Sequence, residues 1–263
     1  MSTEHFADAV AAYSRRHGLL PAGEPVLALV SGGADSTCLM GLLREVHDAP
    51  VVVVTIDHGL RPEAAEEARA VAERAGEWGL ECHRVELRLE AGSGLQERAR
   101  DARLAAAREV AARAGCAAIA TGHTASDQAE TVLFRIARGS GRTGALGMAP
   151  RRDELVRPLL CLRADDTRAW CRDRGLAVAH DPSNADPRFA RVRLRSGLAP
   201  ALAEVSPAAE RHVAEFADLL RDEAEVLESL IDDAWGRCAS GEGLDVAALA
   251  DEPEPVRRLL ARR

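Results

Sequence analysis

Val26-Leu27-Ala28-Leu29-Val30-Ser31-Gly32-Gly33-Ala34-Asp35-Ser36 is the stretch on which the fold turns. The five apolar residues read as a buried strand, and Ser36 to Val46 carries the apolar spacing of a helix. The glycines of the turn let the backbone come close to a ligand, and the N–H groups at the helix start bind anions. Ser31 and Ser36 add hydroxyls, and Asp35 puts a carboxylate where a magnesium ion bound to phosphates can be held. A strand, an S-G-G-x-D-S turn and a helix in this order make a phosphate-binding arrangement.

Outward from that turn the same alternation continues. Val51 to Ile56 reads as a strand, Pro62 to Trp78 as a helix, Glu81 to Leu87 as a strand, and Leu95 to about Ala114 as a helix. Ala117 to Ala120 is a further strand, and Ser126 to Arg138 a helix stopped by Gly139. Strict alternation argues an α/β fold, a doubly wound parallel sheet with helices on both faces. A Gly-rich loop, a weaker strand near Leu155 and a helix from Asp166 to Arg174 come next. From Ser206-Pro207 to Trp235, Val213, Phe216, Leu219, Leu220, Val226 and Leu230 recur at helical spacing. The expected domains are a catalytic domain over 1–203 and a small, mainly helical C-terminal region over 204–263, a tail hardly large enough to bury a core of its own.

Composition narrows the chemistry. The chain has 263 residues and 34 basic ones, all Arg. Without Lys there is no Walker A loop and no enzyme-lysine Schiff base. The six cysteines form no C-x-x-C pair and no zinc spacing, and read as core residues. No run approaches the roughly 18–20 apolar residues of a membrane helix, and residues 1–20 lack the basic-then-apolar order of a leader, so a cytoplasmic enzyme is expected. The net charge is −8, yet residues 135–195 carry 14 Arg against seven acids. A basic block between acidic ones can follow a phosphate backbone or can be solvated surface.

The turn at Ser31, Gly32, Gly33, Ala34, Asp35 and Ser36 resembles the PP-loop of the N-type ATP pyrophosphatases, which cleave ATP between its α and β phosphates. Asp57-His58-Gly59-Leu60-Arg61 resembles the D-H-x-L-R segment of the tRNA(Ile)-lysidine synthetase family. Thr121-Gly122-His123 with Asp127-Gln128-Ala129-Glu130-Thr131 resembles that family's T-G-H-H-x-D-D-Q-x-E-T, with Thr124 and Ser126 in place of a His and an Asp. Arg138 to Arg142 with Gly147-Met148, Arg157 to Leu160, and Asp181 to Asn184 match further family segments, so that the resemblance covers about residues 24–200. The motifs at 31–36, 57–61 and 121–131 each come directly after an expected strand, and ligands of doubly wound sheets bind beyond the strands' carboxyl ends. Gly139 to Gly144 also matches G-x-G-x-x-G, but it comes after a helical pattern and reads as a flexible substrate loop.

The resemblance implies ATP-dependent joining of free L-lysine to C2 of the wobble cytidine of tRNA(Ile) with a CAU anticodon. It implies ATP and Mg2+ as cofactors, and no DNA or membrane partner. Residues 31–36 with Asp57, His58 and Arg61 would bind ATP, with Asp35 on the metal. Asp127 and Glu130, three apart on one helix, would hold the lysine, and Asp35, Asp127 and His123 would serve catalysis. Solvated helix acids and a structural histidine are the plain alternatives. Arginine reads single-stranded RNA where aromatics are scarce, which points to Arg135, Arg138, Arg142, Arg188, Arg191, Arg193 and Arg195, and the resemblance adds Arg100 and Arg103 to the tRNA-binding set. Thiolation of tRNA and a non-catalytic RNA-binding role are the rival functions. The sequence leaves the oligomeric state open.

Overall fold

The structure, a computed structural model, describes residues 4–57, 59, 63–87, 95–179, 190–241 and 243–262. His58, Arg61, Arg188 and the 181–184 segment lie outside the described residues, as does the side chain of Arg191. The chain opens with α1 (Glu4–Arg16), followed by β1 (Val26–Leu29), α2 (Ala34–Val46), β2 (Val51–Asp57), α3 (Glu63–Glu77) and β3 (Glu81–Glu86). Next come α4 (Leu95–Arg113), β4 (Ala118–Thr121), α5 (Ala125–Ala137), α6 (Gly141–Ala145), β5 (Arg151–Arg152) and β6 (Leu155–Val156). The sheet order is β3-β2-β1-β4-β6-β5, parallel throughout except that β5 runs antiparallel to β6.

Strand pleating divides the core in two. Val26, Ala28, Val53, Ala118 and Val156 pack on one face with Leu39, Leu42 and Leu43 of α2. Leu27, Val52, Val54 and Ile119 pack on the other with Ala107, Val110 and Ala111 of α4. Strand order reverses at β1, where β2 lies on one side and β4 on the other. Leu29 of β1 pairs with Thr121 of β4, so the turns beyond these two strands leave the sheet side by side. That is the crevice in which such a sheet binds ligands.

A 3-10 turn at Pro158–Cys161 leads into α7 (Ala164–Asp173). Its Trp170 is almost wholly buried, meets Trp78 edge to face with ring centroids 6.4 Å apart, and carries the Arg174 guanidinium 4.1 Å above its ring. Gly41 of α2 lies beneath this indole, where a Cβ would come within 2.1 Å of the ring. The glycine therefore sets how closely α7 approaches the helix that begins at the phosphate turn.

Beyond residue 189 come α8 (Ala190–Arg193), a π-helical turn at Leu194–Leu198, α9 (Ala199–Val205) and α10 (Ala209–Cys238). The β7–β8 hairpin (Ala239–Ser240, Gly243–Leu244), α11 (Val246–Asp251) and α12 (Glu254–Leu260) complete the chain. Two compact units divide within α10, one over Met1–Ala214 and one over Glu215–Arg263. The second unit, expected to be too small for a core, has one: Ile231, Ala234, Cys238 and Leu260 are buried, with Trp235 and Leu249 packed against them. Leu260 of α12, with Leu244 of the hairpin and Leu249 of α11, packs back against the C-terminal half of α10 to close it. No described helix is long and apolar enough to cross a membrane.

One other expectation changes. The glycine-rich stretch after Gly139 is not simply a loop, because Gly141–Ala145 forms the short helix α6. Gly147 and Met148, just past α6, are fastened to α5: Gln128 donates to Met148 O (2.9 Å) and accepts from Met148 N (2.7 Å), and Arg135 donates to Gly147 O (2.7 Å). The cysteines are all free thiols, as expected of core residues; Cys38, Cys171 and Cys238 are buried, and Cys82, Cys116 and Cys161 are partly exposed at the margin of the cores they pack against.

Candidate active site at the carboxyl edge of the sheet

Val30 to Gly33 turn sharply from β1 into α2. Gly32 takes φ +87°, a left-handed conformation open to glycine, and its carbonyl accepts from Ala179 N (2.9 Å) and Thr37 Oγ1 (3.3 Å). Ser31 N donates to Ser36 Oγ (3.2 Å), and Ser36 Oγ donates to Gly33 O (3.0 Å). Gly33 caps α2 without a side chain, which leaves the first-turn N–H groups directed at the crevice. From the neighbouring strand Gly122 presses against this start: a Cβ there would lie 3.0 Å from Ser36 N and 3.1 Å from the Asp35 carbonyl carbon. The two motifs are thus in backbone contact.

Asp35 stands in the first turn of α2 and accepts a hydrogen bond from Thr167 Oγ1 of α7. Burial pushes its carboxyl above the usual range; the Thr167 hydroxyl opposes this, the Asp127 carboxylate adds to it, and Arg168 and Arg195 pull it back. The Asp35 carboxylate, beside the first-turn N–H groups that hold phosphate, is an oxygen donor of the kind magnesium takes. Among the described residues no three His, Cys, Asp or Glu side chains gather on one metal position, so such an ion would complete its shell with phosphate oxygens and water.

Helix α5 supplies the acids. Thr124 is its N-cap, and Asp127 closes the capping box: Asp127 Oδ2 accepts from Thr124 N (2.9 Å) and from Thr124 Oγ1 (2.8 Å). Asp127 Oδ1 lies 3.7 Å from Arg195 Nη2. Glu130, one turn on and buried, takes a two-pronged ion pair from the same arginine, 2.6 Å from Nε and 3.2 Å from Nη2. Arg195 was expected among the RNA-facing arginines; the structure directs its guanidinium to these acids, because the π-helical turn carries it over α5. Ser126 accepts from Ala164 N (3.1 Å) and donates to Glu210 Oε2 (2.5 Å), fastening α5 to the start of α7 and to the first turn of α10.

His123 comes after Gly122 with its Nδ1 2.9 Å from Thr121 Oγ1, beside the crevice. Asp57 lies one strand away at the end of β2, its carboxylate accepting from Gly59 N (2.8 Å). Arg138 and Arg142 are exposed beyond the end of α5, with Arg138 5.3 Å above the Phe134 ring, and Arg193 is exposed on α8. Arg100 and Arg103 belong to α4, on the opposite face of the sheet. The structure therefore gathers residues 31–36, His123, Asp127 and Glu130 with Arg195, and leaves Asp57 one strand away and the other described arginines outside this group. Thr167, the Gln128 clamp and the Arg195 ion pairs were not legible; of these only Gln128 stood inside a motif.

Residues 6–202 match the PP-loop domain family. The tRNA(Ile)-lysidine synthase of Methylobacterium nodulans is 45% identical over 92% of this chain and 74% of its own length, and that of Novosphingobium aromaticivorans 41% identical over the same shares. The tRNA(Ile)-lysidine synthase of Symbiobacterium thermophilum is 40% identical over 97% of this chain, which spans only 58% of that relative. Among solved structures, the U34-tRNA thiolase NcsA of Methanococcus maripaludis superposes with a TM-score of 0.66 over 83% of this chain and 80% of its own, at 18% identity, a likeness of fold. With its phosphate turn and its acidic helix meeting at the strand-order reversal, the chain belongs to the PP-loop domain family and, within it, to the family of the tRNA(Ile)-lysidine synthases.

Proposed function

We propose that this chain ligates free L-lysine to C2 of the wobble cytidine of tRNA(Ile) with a CAU anticodon, using ATP in the cytoplasm. The observation that carries the reading is the backbone contact between Gly122 and the Asp35–Ser36 turn, which brings the phosphate loop and the acids of α5 into one crevice. Membership of the lysidine synthase family supplies the substrate class.

In this reading cytosine O2 attacks the α-phosphorus of ATP and pyrophosphate leaves. The ε-amine of lysine then attacks C2 of the adenylated base, and AMP leaves. The first-turn N–H groups of α2 and the hydroxyls of Ser31 and Ser36 hold the phosphates, with Asp35 on the magnesium side. Magnesium, when bound, neutralises charge developing on the leaving pyrophosphate. His123 orients phosphate or relays a proton beside the Thr121 hydroxyl. Asp127 holds the lysine ammonium, without trapping the proton that attack requires the amine to lose, while Glu130, whose two oxygens accept from Arg195, supports the amino-acid site from one turn behind.

Thiolation fits this chain less well. Burial pushes the thiols of Cys82 and Cys171 up to about 11, so few thiolates are present at neutral pH. The test is direct: the purified chain is incubated with ATP, lysine and CAU-anticodon tRNA, and the nucleoside product is weighed. Lysidine is expected. Release of pyrophosphate without lysidine would overturn the reading, and no release at all would point to a non-catalytic RNA binder.

A further inference from the structure

Helix α4 ends at Arg113, a few residues before β4 begins at Ala118. Its C-terminal half therefore lies at the amino edge of the sheet, and its first turns, bearing Arg100 and Arg103, lie at the carboxyl edge. Strand β6 ends at the same edge. Leu155 packs toward the α4 face and Val156 toward the α2 face, so pleating returns Arg157 to the α4 face. Thr121 Oγ1 reaches Val156 O at 3.4 Å, which ties this strand end to the turn bearing His123.

Arg157 is only 7% exposed. Its Nη1 donates to Ala149 O (2.6 Å), but its Nε is buried with no hydrogen-bond partner among the described residues, and the same is true of Arg103 Nε. Among the described residues, Arg100 bears on both guanidiniums and Arg152 on Arg157, where the Tyr13 phenol is the one group of opposite sense and no carboxylate takes part. Buried charges are normally paired, and buried N–H donors are normally bonded. Here two independent donors break the second rule at a place where several cations break the first. An anion with several acceptor oxygens satisfies both at once.

We propose that Arg100, Arg103 and Arg157 form a second phosphoryl-anion subsite at the carboxyl edge, beside the His123 turn and separate from the glycine loop. Its ligand is a phosphoryl oxyanion, from one of two sources: a phosphodiester of the RNA loop or the pyrophosphate that leaves ATP. The identity of the source rests on the function proposed above, whereas the subsite itself does not.

The test uses the full chain, Arg103→Gln and Arg157→Met, with two probes in the absence of ATP and lysine. Titration with inorganic pyrophosphate reads one source, and tRNA binding at several salt concentrations reads the other. Each substitution is expected to weaken one of the probes about tenfold or more; for tRNA the log–log salt slope also falls by about 0.7 for each lost contact to single-stranded RNA. Arg157→Met should melt no lower than the parent chain, because it removes an uncompensated buried charge. Should it fail to fold, Arg103→Gln, on the more exposed arginine, decides by itself. Unchanged affinity for both probes would overturn the subsite, as would a fall in melting temperature with binding intact, which is the mark of a structural arginine. Neither outcome depends on whether lysidine is formed.

Discussion

Asp35 is held by conflicting demands. The helix start favours an acid in the first turn, while burial and the Asp127 carboxylate disfavour its charge. A site that keeps such a carboxylate needs a cation to relieve it. Asp35→Ala should therefore abolish pyrophosphate release while the melting temperature stays near that of the parent chain; near-normal turnover would remove Asp35 from the metal or phosphate role. Thr167→Val should raise the magnesium concentration needed for half-maximal release, and Thr167→Ser should restore it, since only the hydroxyl reaches Asp35. Asp127→Asn keeps one carbonyl oxygen to accept from Thr124, so the cap loses at most about 1 kcal/mol. The lysine KM should rise strongly with adenylation largely intact, because the first half-reaction needs no lysine. Loss of adenylation with a normal lysine KM would assign Asp127 to the ATP–metal side. Ser31 to Ser36, Asp127 and Glu130 were legible in the sequence because each belongs to a short string with fixed spacing. Thr167 meets Asp35 across 132 residues and Arg195 meets Glu130 across 65, distances at which no local pattern carries a signal.

Elements α2 and α7 show which effect wins when propensity and packing disagree. Ala is favoured over Gly in a helix interior by about 0.8–1 kcal/mol. At Gly41 the added methyl would sit within 2.1 Å of the Trp170 ring, which is buried and flanked by Trp78 and Arg174. Overpacking costs about 1–3 kcal/mol, and a contact this short belongs at the upper end. Gly41→Ala should thus lower the melting temperature by several degrees, at roughly 2–4 °C per kcal/mol for a chain of this size. An unchanged or higher melting temperature would show that α7 shifts freely. Gly122→Ala meets backbone rather than an indole, so its expected effect is a raised KM for ATP with little change in melting. The alternating elements were legible because their periods differ, 2 for strands and 3.6 for helices. The fastening of the stretch from Gly139 to Met148 was not, because it depends on side chains of the preceding helix reaching back to backbone groups.

At the scale of the whole molecule, the question is how a chain of net charge −8 engages RNA. The basic block over 135–195 was legible as composition, but its folded form divides the arginines between tasks. Arg135 supports Gly147, Arg163 pairs with Asp166, and Arg195 pairs with Glu130. Arg138 and Arg142, beyond the far end of α5, and Arg193 on α8 are exposed and remain the candidates for phosphate contact. The two groups should separate in one experiment. Replacing Arg138, Arg142 and Arg193 together by Gln should flatten the salt dependence of tRNA binding by about 0.7 in log–log slope for each lost contact, and leave ATP binding unchanged. Arg195→Gln should do the reverse. Its side chain is about half exposed, 51%, while that of Glu130 is 9% exposed, so the loss strands a buried carboxylate. Fully buried pairs cost about 3–5 kcal/mol to break, exposed ones at most about 1, and a pair with one exposed partner falls between. A lower melting temperature and an altered lysine KM, with the tRNA salt slope intact, are therefore expected for Arg195→Gln. If it instead flattens the slope as the triple replacement does, the Glu130 ion pair opens when RNA arrives, and Arg195 belongs to the RNA surface after all.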